Sequence, residues 1–270
     1  MSLKPKLDVY PVENYIQSST DHEQKTGTAG GSNVWGRANA ASPTKPPRRK
    51  TPLEKLLSLK AHCQEESCVA SVEAVLIAHL HRHPHILLLK QTIARNRDAS
   101  GGRVLGVGGV YYRLPGGRCR RGEAEEAALL RKLGRHLLGE EKAKTDPPGD
   151  AIHPATSETV VEVTAASPSA EAANFFRVGE VLARWYRPHF SPLMYPYIPS
   201  HISASDVKEV RTIFLVHMKP IGYFNLAPDM ELVAVPLFDL YENTAKYGPV
   251  IASLPATLSR VLINYCSSEY

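Results

Sequence analysis

Hydrophobic and polar positions recur with clear periods along most of the chain, and two long stretches interrupt them. Leu7 to Ile16 (LDVYPVENYI) alternates like a strand and is expected at a domain edge. Leu53 to His62 (LEKLLSLKAH) spaces its apolar residues as a short helix would. Glu73 to His79 (EAVLIAH) and His85 to Lys90 (HILLLK) are strand-like runs around a turn containing Pro84, which predicts a hairpin. Ser100 to Val110 (SGGRVLGVGGV) reads as a loop and lacks the Gly-Lys-Ser/Thr ending of a phosphate-cradling loop. Tyr111 to Leu114 predicts a short strand leading into PGG. A helix is predicted from Glu123 to Leu138, with Ala127, Leu130, Leu133 and Leu137 on one face. Strands are expected near Thr212 to Met218 and Leu232 to Pro236, and a last helix from Pro255 to Tyr265 with Ser253 as its N-cap. This mixed order predicts one α/β (α+β) domain.

The interruptions are Gln17 to Lys50, rich in Ser, Thr, Gly, Asn and Pro, and the polar stretch from Gly139 to Ala170. The first does not carry enough apolar surface to offset its ordering entropy, and the second reads as a loop insertion. The expected organisation is an N-terminal extension over 1–52 with a polar linker (17–50). A single domain follows over 53–270, with an insertion at about 140–170. The linker ends in KPPRRK (Lys45 to Lys50), either a nuclear-import or RNA-tethering patch or a solvated linker.

Composition narrows the class. Hydrophobic residues make up 43% and charged residues 22%, as in a globular chain with a buried core. No apolar run approaches the roughly 18–20 residues of a membrane span, and the first residues lack a signal-peptide core, so an intracellular protein is expected. The net charge of +5 leans mildly toward acidic partners such as nucleic acid. Cys63, Cys68, Cys119 and Cys266 form no paired CxxC units, so free thiols are expected rather than a structural zinc site.

The most informative segment is LPGGRCRRGEAEEAALLRKLGRHLLG, Leu114 to Gly139. Gly117, Glu123 and Arg131 have the spacing of the first half of a Nudix box, which continues as Arg-Glu-apolar-x-Glu-Glu. Pyrophosphate hydrolysis there needs a divalent ion, and hard cations want clustered carboxylate oxygens, which a helix supplies on one face. Here Lys132, Arg135 and His136 stand at the three carboxylate positions, and no shifted register restores them. Coulomb repulsion disfavours a metal, so no cofactor, no metal and no hydrolase activity are expected.

Further strings resemble the Nudix-fold small (25 kDa-type) subunit family of pre-mRNA cleavage factor Im. They are SVEAVLIAHLHRHPHILLLK (Ser71 to Lys90), YYRLPGG (Tyr111 to Gly117), WYRPHFSPLMYPYIPSHI (Trp185 to Ile202) and LVAVPLFDLYENTAKYGPVIASLPATLSR (Leu232 to Arg260), with Val9 to Tyr15 and TPLEK also similar. The resemblance covers roughly two-thirds of the chain and leaves out mainly the two polar stretches. It implies a Nudix fold, an α-β-α sandwich around a mixed sheet. It also implies a nuclear, homodimeric, non-catalytic subunit of the mRNA 3′-end cleavage and polyadenylation machinery. Such a subunit binds U-G-U-A in single-stranded pre-mRNA and recruits a larger subunit with RNA-recognition motifs or Arg-rich segments.

Position by position, the resemblance implies base stacking by Tyr111 and Tyr112, followed in the same motif by Arg113 and Leu114. It implies base-edge reading by Glu73, a covering loop at Tyr247 and Gly248, and a contact by Glu54. Aromatic faces and hydrogen bonds to base edges are what single-stranded RNA recognition requires. The chain has tyrosines where the family has phenylalanines, is shorter between TPLEK and Ser71, and has only Lys60 near the family's arginine contact.

Plainer readings stand beside these. His79, His81, His83 and His85 are expected to be hairpin histidines, since a turn divides them. Tyr111 and Tyr112 point to opposite faces of a regular strand, so at most one can be core. Tyr195, Tyr197 and their prolines fit a stiffened loop. Arg118, Arg120 and Arg121 are either a solvated rim or a phosphate-positioning patch. Two other functions remain open on sequence grounds, a protein-interaction scaffold that does not read RNA and a residual Nudix nucleotide hydrolase.

Overall fold

The hairpin around Pro84 is the centre of the fold. A computed structural model describes residues 4–15, 34–35, 52–93, 96–97, 104–105, 109–139, 170–226 and 230–267. Strand β1 (Lys6–Val9) leads into a 3-10 turn, Val12–Tyr15; β2 is Val34–Trp35, and α1 is Pro52–Glu65. The hairpin comprises β3 (Val69–Leu80) and β4 (His83–Ile93). Its turn is His81-Arg82, with φ of 50° and 62°, and Pro84 lies within β4 opposite His79. Two successive left-handed residues match the right-handed twist of the flanking strands, so the reversal falls before the proline.

Next come β5 (Asn96–Arg97), β6 (Val104–Leu105), β7 (Gly109–Arg113), β8 (Gly116–Arg118) and α2 (Glu125–Leu133). The predicted helix to Leu138 ends as a π-helical turn, Gly134–Leu138, closed by left-handed Gly139. The residues sealed against the sheet are Ala128, Leu129, Leu133 and Leu137, whereas Ala127 and Leu130 of the expected face stay partly exposed. After α3 (Ala170–Phe175) come β9 (Phe176–Pro188), β10 (Val207–Met218) and β11 (Met230–Pro236). A 3-10 turn, Leu237–Leu240, and three short helices follow: α4 (Thr244–Tyr247), α5 (Pro249–Ala252) and α6 (Leu254–Leu258).

The last helix thus stops at Leu258, short of the expected Tyr265, and Leu262–Tyr265 forms β12, parallel to β1. LINY could continue the helix's apolar face by its spacing, but its backbone instead completes a ladder with the N-terminal strand. Ser253 does not cap α6 through its side chain; its hydroxyl donates to the Val250 carbonyl. Leu7, Val9, Val12 and Tyr15 are buried, so this N-terminal segment is part of the core rather than an edge accessory.

The main sheet runs β2-β11-β4-β3-β10-β9 and is mixed, with β3 parallel to β10 and antiparallel to β4. β3 and β4 pair only near their turn, through Ile77–Leu80 and His83–Ile86. Beyond that they diverge, and residues 109–118 fill the fork: β7 pairs with β4, β8 pairs with β3, and the Pro115 carbonyl accepts from Ala74 N–H. The PGG turn needs its first glycine, because a Cβ on Gly116 (φ +150°) would lie 2.1 Å from the Val72 carbonyl oxygen.

Strand alternation sorts the core onto two faces. One carries Val72, Ala74, Leu76, Leu87 and Leu89 beneath α2 and α3. The other carries Val75, Ile77, Ile86, Leu88 and Leu114 beneath α4, α5 and α6. This is helices on both sides of a mixed sheet, the α+β class that the pattern predicts and the sandwich that the resemblance implies.

Candidate nucleic-acid interface

Residues from the fork face both ways. Tyr112 pairs with Lys90 and shares the α4–α6 face, while Tyr111 pairs with Gln91 and shares the α2 face. Both tyrosines are half-buried. They therefore present rings on opposite sides of β7 and cannot stack together on one base. Glu73, Tyr112 and Tyr247 accordingly lie on the far side of the sheet from α2, and Tyr111 faces the other way.

Around Tyr112 the geometry is closely fixed. The Tyr247 ring meets it edge-on, with centroids 5.0 Å apart and planes at 60°. Lys246 Nζ lies 5.9 Å from the Tyr112 centroid and 4.7 Å from that of Tyr247. Asp239 holds the group together, accepting from the Tyr247 hydroxyl at 2.5 Å and from Lys246 Nζ at 3.2 Å. Burial, and then the bond to Asp239, push the Tyr247 hydroxyl up to about 12, and the same bond holds the Asp239 carboxyl low. On the strand side, Lys90 Nζ donates to Glu231 at 2.8 Å. Two ammonium groups thus flank one partly exposed aromatic ring.

Tyr247 is not in an open loop. It ends α4, is only 6% exposed, and packs edge-on against Tyr112. Gly248 follows at φ +81°, and nothing lies within 4 Å of where its Cβ would be, so this backbone is open to close approach. Leu114 is 1% exposed and anchors the fork to the core, leaving only its backbone for contact. Arg113 donates to Met230 Sδ at 3.3 Å. Glu54 is half-buried in the first turn of α1.

Glu73 sits on β3 opposite Gly116, and Gly116 is four residues from Tyr112, at most about 14 Å along the extended chain. Its carboxylate meets Arg211 Nη1 at 3.2 Å, and its side chain is 15% exposed. Arg211 Nη2 also donates to Glu209 at 3.0 Å, and Arg187 Nε donates to the other Glu209 oxygen at 2.8 Å. Burial raises the Glu73 carboxyl above the usual carboxylate range, with Arg211 opposing it. Glu209, buried as well, is held low because Arg211 and Arg187 outweigh burial. Sequence reasoning missed Arg211, Glu209, Lys90 and Lys246. The alternation in VKEVRTIF places Glu209 and Arg211 on one strand face and was the available signal for that pair.

The α2 side has a different character. Glu123 takes Arg131 through two hydrogen bonds of 2.7 and 2.6 Å and accepts from Arg120 N–H at 2.8 Å, which fixes the loop before the helix. Lys132 packs over Gly117, where a Cβ would stand 3.3 Å from its Cε. Burial, then Arg131 and Arg135, push its ammonium down to about 8. Such a donor set does not fit a divalent cation, and no group of three His, Cys, Asp or Glu among the described residues could hold one. The hairpin histidines do not converge: His79 Nε2 bonds the Cys266 carbonyl and His85 Nδ1 the His83 carbonyl, each at 2.8 Å. Among the described residues, no helix is long and apolar enough to cross a membrane.

Residues 5–261 match a Nudix family described as nucleotide hydrolase. The chain is 33% identical over 239 residues to the pre-mRNA cleavage factor Im 25 kDa subunit 2 of Arabidopsis thaliana, covering 87% of this chain and 96% of the relative. It is 32% identical to cleavage and polyadenylation specificity factor subunit 5 of Dictyostelium discoideum, over 80% of this chain and 84% of the relative. A solved C. elegans Ap4A hydrolase is far more distant, at 11% identity and a TM-score of 0.36, covering 71% of this chain and 93% of its own. A Nudix profile across nearly the whole chain, together with full-length kinship at about a third identity, places this protein in the family of Nudix-fold 25 kDa subunits of pre-mRNA cleavage factor Im.

Proposed function

We propose that the chain is a non-catalytic, RNA-binding subunit of a nuclear complex that cleaves and polyadenylates pre-mRNA. The carrying observation is the α4–α6 face of the fork, where a half-exposed Tyr112 ring lies between Lys90 and Lys246 with Glu73 nearby. The ring offers a stacking platform for a base, the two ammonium groups suit flanking phosphates, and Glu73 offers carboxylate oxygens to a base N–H. The open Gly248 backbone lets a strand approach closely.

Single-stranded RNA containing U-G-U-A or a close variant is the ligand this reading names, and Tyr112 rather than Tyr111 is its main stacking residue. Glu54 and Arg113 are peripheral contacts. The cationic side chains at the Nudix carboxylate positions support the absence of hydrolysis. A homodimer, joined by a larger subunit with RNA-recognition motifs or Arg-rich segments, is the assembly we infer.

One observation favours a second reading, a scaffold that does not read RNA: Tyr247 already meets Tyr112, and Glu73 is already paired with Arg211. Fluorescence anisotropy on short RNAs separates the two. Preference for U-G-U-A over scrambled sequence at moderate salt supports RNA reading, and no preference leaves the scaffold. Light scattering after size exclusion tests the dimer, which a strict monomer would contradict.

A further inference from the structure

A carboxylate discriminates between base edges only when its direction and charge are fixed, and at Glu73 one side chain fixes both. Arg211 Nη1 meets a Glu73 oxygen at 3.2 Å, while 15% of the Glu73 side chain remains exposed. The other arm of the same guanidinium, Nη2, donates to Glu209 at 3.0 Å. Arg187 Nε holds the second Glu209 oxygen at 2.8 Å, and Arg187 Nη1 donates to the Ser191 carbonyl at 2.5 Å. Side chains from three strands thus form one chain of ion pairs without net charge. The sheet sets its register: Glu209 lies opposite Arg187 on β9, and Ile213, two residues beyond Arg211, lies opposite Glu73 on β3. Thr212, between them, turns to the other face and donates to Glu125 of α2. Arg211 Nε is buried without a partner among the described residues, a cost that the two bridged carboxylates offset.

We propose that Arg211 is a positioning residue for base recognition: by bridging Glu73 to Glu209 it keeps the Glu73 carboxylate ionised and directed at a ligand on the Tyr112 face, so that Glu73 selects base edges that present N–H groups. The inference rests on the RNA-reading function proposed above. An ionised carboxylate only accepts, whereas a protonated one also donates and would tolerate a base oxygen or ring nitrogen in the same place. Burial favours the protonated form, and Arg211 is the strongest opponent of burial; Arg113 of β7 and Lys55 of α1 act more weakly in the same sense, and Glu209 acts against them. Lysine could supply the charge at this position but not the planar fork that reaches two carboxylates at once.

Anisotropy with labelled U-G-U-A and scrambled oligomers, from about pH 5 to pH 8, tests this on the full chain. Wild-type affinity for U-G-U-A should fall on acidification as Glu73 takes up a proton, and that fall should disappear in Glu73→Gln. Arg211→Met should move the fall to higher pH and weaken U-G-U-A binding about tenfold at neutral pH, with less effect on the scrambled oligomer. Arg211→Lys should bring the pH profile back toward the wild type and recover the sequence preference only in part. It keeps the test decisive if Arg211→Met folds poorly. Wild-type preference and pH profile in a folded Arg211→Lys, or a pH-dependent fall that survives Glu73→Gln, overturns the role of Arg211 and leaves RNA reading intact. Equal wild-type affinity for the two oligomers overturns RNA reading itself, and this role with it.

Discussion

The two faces of the β3–β4 fork are built from one stretch of chain and have diverged chemically. On the α4–α6 face, charges come in matched sets: Glu73 with Arg211, Glu209 with Arg211 and Arg187, Asp239 with Lys246, and Lys90 with Glu231. On the α2 face, Lys132 and Arg135 stand close to one another and the nearby carboxylate is taken by Arg131. The contrast shows how one frame can carry two different charge arrangements. The Glu123–Arg131 clasp and the PGG turn that shape the Nudix loop remain, but the groups that would hold a metal do not. Neighbouring ion pairs on the first face fix an aromatic ring in place, whereas on the second face like charges crowd Lys132.

Substitutions can break this comparison, and the largest effect is expected at the shared frame. Gly116→Ala drives a Cβ into the Val72 carbonyl, so both faces should be lost together, with destabilisation of about 4 kcal/mol or more in chemical denaturation. Folding with near wild-type stability would contradict the account of the fork.

Next is Arg211→Met, which leaves Glu73 and Glu209 facing each other without their shared cation. A loss of about 3 kcal/mol is expected, somewhat less if water enters, because Arg211 is 24% exposed. Lowering the pH should recover part of this stability as the carboxylates are protonated, and a variant equally destabilised at acidic pH would refute the electrostatic explanation.

A smaller effect is expected at the aromatic ring. Tyr112→Ala should cost about 1–3 kcal/mol of RNA affinity by anisotropy, while Tyr111→Ala, on the opposite face, should cost clearly less. Equal losses would erase the distinction between the faces.

The smallest effect concerns Lys132. Its ammonium is held at about 8, below the ordinary lysine value, so the unfolded chain binds more protons than the folded one from about pH 8 upward. Its contribution to stability therefore improves as pH rises through that window. Lys132→Met should remove this part of the slope, seen as a difference between wild-type and variant melting curves. Identical slopes would count against the crowded ammonium.

Much of the frame was legible in the sequence because it depends on local periods. EAVLIAH and HILLLK gave the hairpin, and of the helical face read as Ala127, Leu130, Leu133 and Leu137 the last two are sealed in the core. The misreadings fall where distant pairing decides. Leu262–Tyr265 reads as a helix end until β1, more than 250 residues earlier, is placed beside it. Within α2 the sealed residues are Ala128, Leu129 and Leu133, and the neighbouring stripe of Ala127 and Leu130 has the same apolar period, so only packing against the sheet distinguishes them. Alternation placed Tyr111 and Tyr112 on opposite faces, yet only the three-dimensional fork shows that Tyr112 shares its face with Tyr247 and Glu73. The Arg211 network joins three strands, so alternation could pair Glu209 with Arg211 but not connect them to Glu73 and Arg187.

The central claim is that the α4–α6 face reads single-stranded RNA, and the most direct measurement is anisotropy with a labelled U-G-U-A oligomer and a scrambled control. The account predicts tighter binding to U-G-U-A by the wild type and a drop of about fivefold to a hundredfold in Tyr112→Ala. Equal affinity for the two oligomers, or an unchanged affinity in a folded Tyr112→Ala, would contradict it.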